Sequence, residues 1–240
     1  ILANQHLLKK VVVESENMKA LQRLNSIKQN SYRLLRLVNN IIDTVKLDSG
    51  YIYPSFKTTN IVRVISDIVN SINTYTESRN LKLTFTSEFK IKYINVDVDM
   101  IERVLLNLLS NSIKFTNKGG TIDITLKDDG DFILISIRDS GIGITKERIS
   151  TIFDKFVQVD KSFTRTKEGS GLGLTIVKSI IEKHNGTIGV YSIPNKFTEF
   201  FFKLPALPDK HSYQHSFELN DYNSDYINEK ISIEFSDITV

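Results

Sequence analysis

The stretch Asp99–Thr116, DMIERVLLNLLSNSIKFT, sets the reading of everything around it. Its apolar residues follow a helical period and are dense enough for a helix buried in a core. Three polar residues interrupt them: Asn107, Asn111 one turn later, and Lys114 three further on, all along one face. Asparagines among leucines and isoleucines are costly unless their amides are satisfied. The amide oxygen of Asn111 suits a hard cation, and Lys114 suits a phosphate. A buried network of amides that serves only the core would look the same from this cluster alone.

Outward from this helix the chain alternates helices and strands. On the N-terminal side IVRVISDIVNSINTYTESRN (61–80) has helical period and LKLTFTSE (81–88) alternates like a strand. On the C-terminal side TIDITLKDD (121–129) and FILISIRDS (132–140) are two strands joined at Asp128, Asp129 and Gly130, which supply hairpin turn chemistry. A helix, LTIVKSIIEKH (174–184), closes at Asn185 and Gly186, and TIGVYSI (187–193) with TEFFFKLP (198–205) adds another hairpin. The order helix, strand, helix, hairpin, helix, hairpin predicts an α+β sandwich, a mixed sheet with helices on one face, rather than a doubly wound parallel sheet.

Residues 1 to about 47 contain neither proline nor glycine, and Leu21, Leu24, Leu35, Val38, Ile42 and Val45 recur at three and four. A two-helix hairpin is expected, from Ile1 to about Val12 and from about Met18 to Leu47, turning at ESEN (14–17) and stopped by Gly50. Two helices too thin to bury their apolar stripes pair with a second copy or pack on their own domain. Three segments follow: a helical hairpin over 1–50, an α+β domain over 56–207, and a polar tail over 208–240. In the tail KISIEFSDI (230–238) alternates like one more strand.

Two further clusters carry chemistry. In RDSGIGI (138–144) a strand ends on Asp139, and Gly141 and Gly143 let the backbone turn tightly, so a carboxylate is held where it can accept from an exocyclic amine. An ordinary acidic turn would read alike. In EGSGLGL (168–174), Gly169, Gly171 and Gly173 precede a helix and aim its free N–H groups at phosphate oxygens. No strand leads into this loop as a dinucleotide fingerprint requires, and no Gly-Lys-Ser/Thr follows as in a Walker loop. Between the clusters, Lys155, Lys161, Arg165 and Lys167 populate a segment suited to an electrostatic lid or, equally, to a solvated charged loop. His184, at a helix end, is placed to bond the last carbonyls.

In this order the clusters resemble the GHKL ATP-binding superfamily, and within it the catalytic domain of bacterial sensor histidine kinases, over essentially Ile1 to Leu207. NLLSNSIKF resembles the N box, DSGIGI the first glycine box, IFDKFVQVD the phenylalanine box and GSGLGL the second glycine box. The resemblance implies that Asn111 holds a magnesium ion bridging the phosphates of ATP, while Asn107 and Lys114 contact the phosphate chain. It implies that Asp139 reads the adenine amino group, that Gly141 and Gly143 build the adenine pocket, and that Phe115 lies against the nucleotide. Residues from about Asp154 to Glu168 become a lid hinged at Phe153 and Phe156, with Lys161 or Arg165 reaching phosphate. Gly169, Ser170, Gly171, Leu172 and Gly173 close over the triphosphate.

Hydrolytic members of the superfamily carry a glutamate one turn before the magnesium asparagine; here that position is Asn107, which cannot take a proton. Phosphoryl transfer to a histidine is therefore expected, then relay to the aspartate of a response-regulator receiver domain, with a homodimer formed through the hairpin. In the family the acceptor is followed directly by an acidic residue, whereas His6 is followed by Leu7, Leu8, Lys9 and Lys10. The acceptor is thus expected one to three helical turns before Ile1, in a longer kinase. The alternative is an ATP-binding regulatory module, a pseudokinase or a response-regulator phosphatase.

The bulk composition agrees with this assignment. With 240 residues and 40% hydrophobic content the chain can fill a sizeable core, and no apolar run reaches the length of a membrane span. Any membrane contact is expected through segments outside the sequence, this chain being a cytoplasmic part of an anchored protein. The absence of cysteine excludes disulfides and thiolate metal sites. A net charge of +3, from 31 basic and 28 acidic residues mixed along the chain, gives no support to nucleic-acid binding.

Overall fold

The computed structural model describes residues 18–49, 53–155, 157, 171–207 and 224–238. The expected first helix, the ESEN turn and His6 lie outside them. The described chain begins with one long helix, α1 (Met18–Asp48), followed by β1 (Lys57–Asn60), α2 (Ile61–Ser71), α3 (Asn73–Ser78), β2 (Lys82–Ser87) and β3 (Tyr93–Val96). Then come α4 (Val98–Phe115), β4 (Thr121–Asp129), β5 (Phe132–Asp139), the single turn α5 (Lys146–Ile149), α6 (Gly173–Lys183), β6 (Thr187–Ile193), β7 (Phe197–Pro205) and α7 (Ser224–Glu234).

Five strands form a sheet in the order β2-β4-β5-β7-β6, in which β2 runs parallel to β4 and the other neighbours pair antiparallel. The parallel pair arises because the chain leaves β2 and returns to β4 through α4, a crossover that no tight turn could make. Period-two alternation then assigns the faces. Ile122, Ile124 and Leu126 of β4, Ile133, Ile135 and Ile137 of β5, and Phe200, Phe202 and Leu204 of β7 are buried against the helices. The opposite face carries polar groups such as Thr125 and Ser136, whose hydroxyls are 2.8 Å apart, and Arg138, which lies 3.8 Å over the Phe197 ring. The helical layer returns Ile61, Ile65 and Ile68 from α2, Leu105, Leu108, Leu109 and Ile113 from α4, and Ile176 and Ile180 from α6. Each such side chain contributes roughly 1.5–3 kcal/mol on burial. The fold is therefore the mixed-sheet α+β sandwich with one helical layer. No helix among the described residues is long and apolar enough to cross a membrane.

Two departures from the sequence reading stand out. The short strands β1 and β3 pair antiparallel as a two-stranded ribbon, Lys57 opposite Val96 through Asn60 opposite Tyr93. The expected terminal strand over KISIEFSDI is instead the end of helix α7 and the turn after it. Ile231, Ile233 and Phe235 alternate, which suits a strand, but the residues that are buried are Ile227, Ile231, Phe235 and Ile238, spaced by four, four and three.

Candidate functional site

α4 positions the site. Asp97 caps it, accepting from the Met100 N–H at 3.1 Å, and also accepts from the Ser55 N–H at 2.8 Å. The Asp97 N–H in turn donates to His184 Nε2 at 3.0 Å, while His184 Nδ1 bonds the Ile180 carbonyl at 2.8 Å. This imidazole is a buried neutral strut between the end of α6 and the start of α4. Burial holds its pKa below the usual imidazole value.

With one face of α4 against the sheet, Asn107 and Asn111 fall on the flank that meets α6. Asn111 Nδ2 donates to Asn107 Oδ1 at 3.4 Å, leaving the Asn111 amide oxygen directed elsewhere. Gly173 opens α6 directly opposite: a Cβ there would come within 2.5 Å of Asn107 Nδ2, so this helix start fits against Asn107 only as glycine. Gly171 has a left-handed φ of +68°, and the cap residue Leu172 gives the first turn of α6 no side-chain hydrogen bond. Lys114 extends its ammonium 5.5 Å from the Phe115 ring centroid.

On the other flank, Asp139 ends β5 and is 4% exposed. It accepts from Ser112 Oγ at 3.1 Å and from the Gly141 N–H at 2.9 Å. Burial pushes its carboxyl up to about 6, against the lowering effect of those hydrogen bonds. Gly143, with φ +66°, runs its backbone against Ile193. The Ile142 N–H reaches the Phe115 carbonyl at 3.2 Å, so the glycine turn is sewn to the end of α4. Phe153 packs edge-on against Phe200 with ring centroids 6.4 Å apart, and its carbonyl accepts from Thr175 Oγ1 at 3.0 Å at the start of α6.

Asn107, Asn111, Lys114 and Phe115 thus lie on α4, Asp139, Gly141 and Gly143 at the end of β5 and the turn after it, and Gly171, Leu172 and Gly173 at the start of α6, with Gly173 against Asn107 and Gly141 against Phe115. Phe156, Lys161, Arg165, Lys167, Gly169 and Ser170 lie outside the described residues. Ser112 was not singled out from sequence, since a lone serine beside Asn111 carries no signal until β5 is placed next to it. Glu234 and Asp237 were missed as well. Glu234 Oε1 accepts from Asn107 Nδ2 at 3.0 Å, and Asp237 Oδ2 lies 3.9 Å from Lys114 Nζ. Nothing near α4 in sequence announces partners from the far end of the chain.

A match to a known family now completes this geometry: residues 96–208 match the family described as histidine kinase-, DNA gyrase B-, and HSP90-like ATPase. The chain is also 34% identical to the sensor histidine kinase WalK of Bacillus subtilis over 193 residues, 79% of this chain and 31% of that protein. Residues 96–208 thus carry this ATPase domain, and the chain's homologues include sensor histidine kinases. The catalytic domain of histidine kinase ThkA superposes with a TM-score of 0.57 at 28% identity, covering 65% of this chain and 99% of that one. ThkA in complex with the response regulator TrrA shares the fold, with a TM-score of 0.62 at 21% identity over 87% of this chain and 60% of that one. The alignment covers 22% of the Caulobacter vibrioides non-motile and phage-resistance protein and 33% of the Staphylococcus aureus sensor protein SrrB, so this chain spans about a fifth to a third of these two relatives.

Proposed function

We propose that this region binds magnesium-bound ATP between α4 and the glycine turns and transfers the γ-phosphoryl group to a histidine, for relay to a response-regulator aspartate. The observation that carries the proposal is the seating of Gly173 on Asn107, whose amide oxygen accepts from Asn111. It brings a helix start without a side-chain cap hydrogen bond and two amides to one place with no Cβ between them. In this reading Asn107, Lys114 and the loop Gly169–Gly173 receive the phosphates, and Lys161 or Arg165 closes over them. Asp139 accepts from the adenine amine, Gly141 and Gly143 shape its pocket, and Phe115 flanks it. Asn111 fits a hard cation because its nitrogen donates to Asn107, while among the described residues no hydrogen bond engages its oxygen. Magnesium would bridge the phosphates and neutralise their charge. The amide at position 107 has no proton-accepting capacity, which favours transfer to a side chain over hydrolysis.

The same reading divides the chain into a helical hairpin over 1–50, a catalytic domain over 56–207 and a tail over 208–240. It takes a receiver domain as the downstream partner, a choice supported by the ThkA complex. ATP as substrate and the absence of cysteine support a cytoplasmic setting.

Calorimetry with a non-hydrolysable ATP analogue tests the site. Asn111→Asp adds a charge beside the phosphates and Gly171→Ala places a Cβ at a left-handed φ, so each should weaken magnesium-dependent binding by about tenfold or more. Unchanged affinity in both would remove these residues from the site.

A further inference from the structure

The last described turn of the chain sits on the phosphate side of this site. Phe235 is buried and packs at a tilt against Tyr75 with ring centroids 5.0 Å apart, and Ile227, Ile231 and Ile238 are buried with it. That anchoring brings two carboxylates onto α4. Glu234 takes the Asn107 amide at 3.0 Å, and its backbone carbonyl accepts from Ser110 Oγ at 3.2 Å. Asp237 stands 3.9 Å from Lys114 Nζ and 3.0 Å from Arg33 Nε, and it also pairs with Arg36, which donates to the Glu234 carbonyl at 2.7 Å. With the segment in place Asn107 is 9% exposed and the Lys114 side chain 9% exposed. A phosphate oxygen has little room to reach either.

We propose that residues 224–238 are a built-in occupant of the nucleotide site, with Glu234 and Asp237 standing where the terminal phosphates bind, so that magnesium-bound ATP and this segment compete for Asn107 and Lys114. The proposal rests on the nucleotide reading of α4 given above. Carboxylates and phosphates are both anionic acceptors drawn to the same donors, and one buried ammonium cannot serve both in full. Two fixed carboxylates also repel an incoming triphosphate. The apolar anchors hold the acids there without using any atom of the site, so seating and occupancy are separable by mutation. Because only the undocked fraction is competent, the apparent dissociation constant rises by the inverse of that fraction, about tenfold for nine-tenths docking.

The test compares the full chain with Glu234→Gln/Asp237→Asn and, separately, with Ile231→Ala, which loosens an anchor and leaves the site intact. Binding of a magnesium-bound non-hydrolysable ATP analogue should tighten about tenfold in both variants, while binding of adenosine, which has no phosphates, stays unchanged. Amide exchange in the parent should show residues 224–234 losing protection when the analogue saturates it, a readout that needs no variant to fold. Equal or weaker binding of the analogue by the variants, or unchanged protection of α7, overturns the proposal while leaving the ATP site standing. Phosphate release from ATP that requires Glu234 overturns it in favour of that carboxylate as a hydrolytic base. Binding of the analogue to none of the three proteins overturns the nucleotide reading itself and this proposal with it.

Discussion

Asp139 is a site residue whose charge changes close to neutral pH, and its two linked effects have opposite signs. Its carboxyl is raised from 3.8 to about 6 by burial at the end of β5, so the folded state holds a proton that the unfolded chain has released. Its contribution to stability is therefore fully present below 3.8 and is lost as the pH rises through about 6. Asp139→Asn, which cannot ionise, should be more stable than the parent by about 1–2 kcal/mol at neutral pH, with the gap closing toward pH 4, as read from urea unfolding at both pH values. Binding runs the other way. In the proposed pocket an adenine amine bonds the ionised carboxylate more strongly than the neutral acid, so affinity of the parent for an ATP analogue should fall as the pH drops below about 6, and calorimetry across that range checks it. Asp139 was visible in sequence because a carboxylate closes an alternating strand just before Gly141. Its partner Ser112 was not, because only the packing of α4 on β5 makes a serine at that register a donor to the carboxylate.

Among the elements, those with one unambiguous period were legible, and those that are very short or carry two competing periods were not. The alternation of Ile122, Ile124 and Leu126, and of Ile133, Ile135 and Ile137, fixes β4 and β5 and their shared hairpin without any tertiary information. The ribbon of β1 and β3 has four residues on each side, too short for period two to separate from a loop. In α7 the competing periods of Ile231, Ile233 and Phe235 favoured a strand until burial of Ile227 and Ile238 selected the helical one. The N-terminus of α4 shows how a single residue ties several elements together. Asp97 caps the helix, holds the Ser55 N–H ahead of β1, and donates its own N–H to His184 at the end of α6. Asp97→Ala removes the first two bonds and should cost about 1–2 kcal/mol in urea unfolding, whereas Asp97→Asn, which keeps a side-chain acceptor, should lose less than half of that.

At the scale of the whole molecule, α1 presents two unlike faces. One is polar and engaged: Asn40 accepts from Arg103 at 2.9 Å, Asp43 pairs with the same guanidinium, and Arg33 and Arg36 reach Asp237. The other is apolar and open. Leu34 is 64% exposed, Ile41 55% and Val45 61%, with Val38 and Ile27 in the same row. Ile27, Leu34 and Ile41 are spaced by seven, and Leu34, Val38, Ile41 and Val45 by four, three and four, which is the seam of a helix built to pack on other helices. A continuous apolar row of this kind marks an association surface. A second copy of α1 presents a matching row, so we expect a homodimer through α1. Leu34→Glu/Ile41→Glu places charges in the centre of that seam and should convert the dimer to monomer in sedimentation equilibrium. Both residues point away from the face of α1 that meets α4 and α7, so affinity for a magnesium-bound ATP analogue should stay within about twofold of the parent. A double variant that remained dimeric would place the association surface elsewhere, and one that became monomeric and lost nucleotide binding would show that the open row supports the catalytic fold instead.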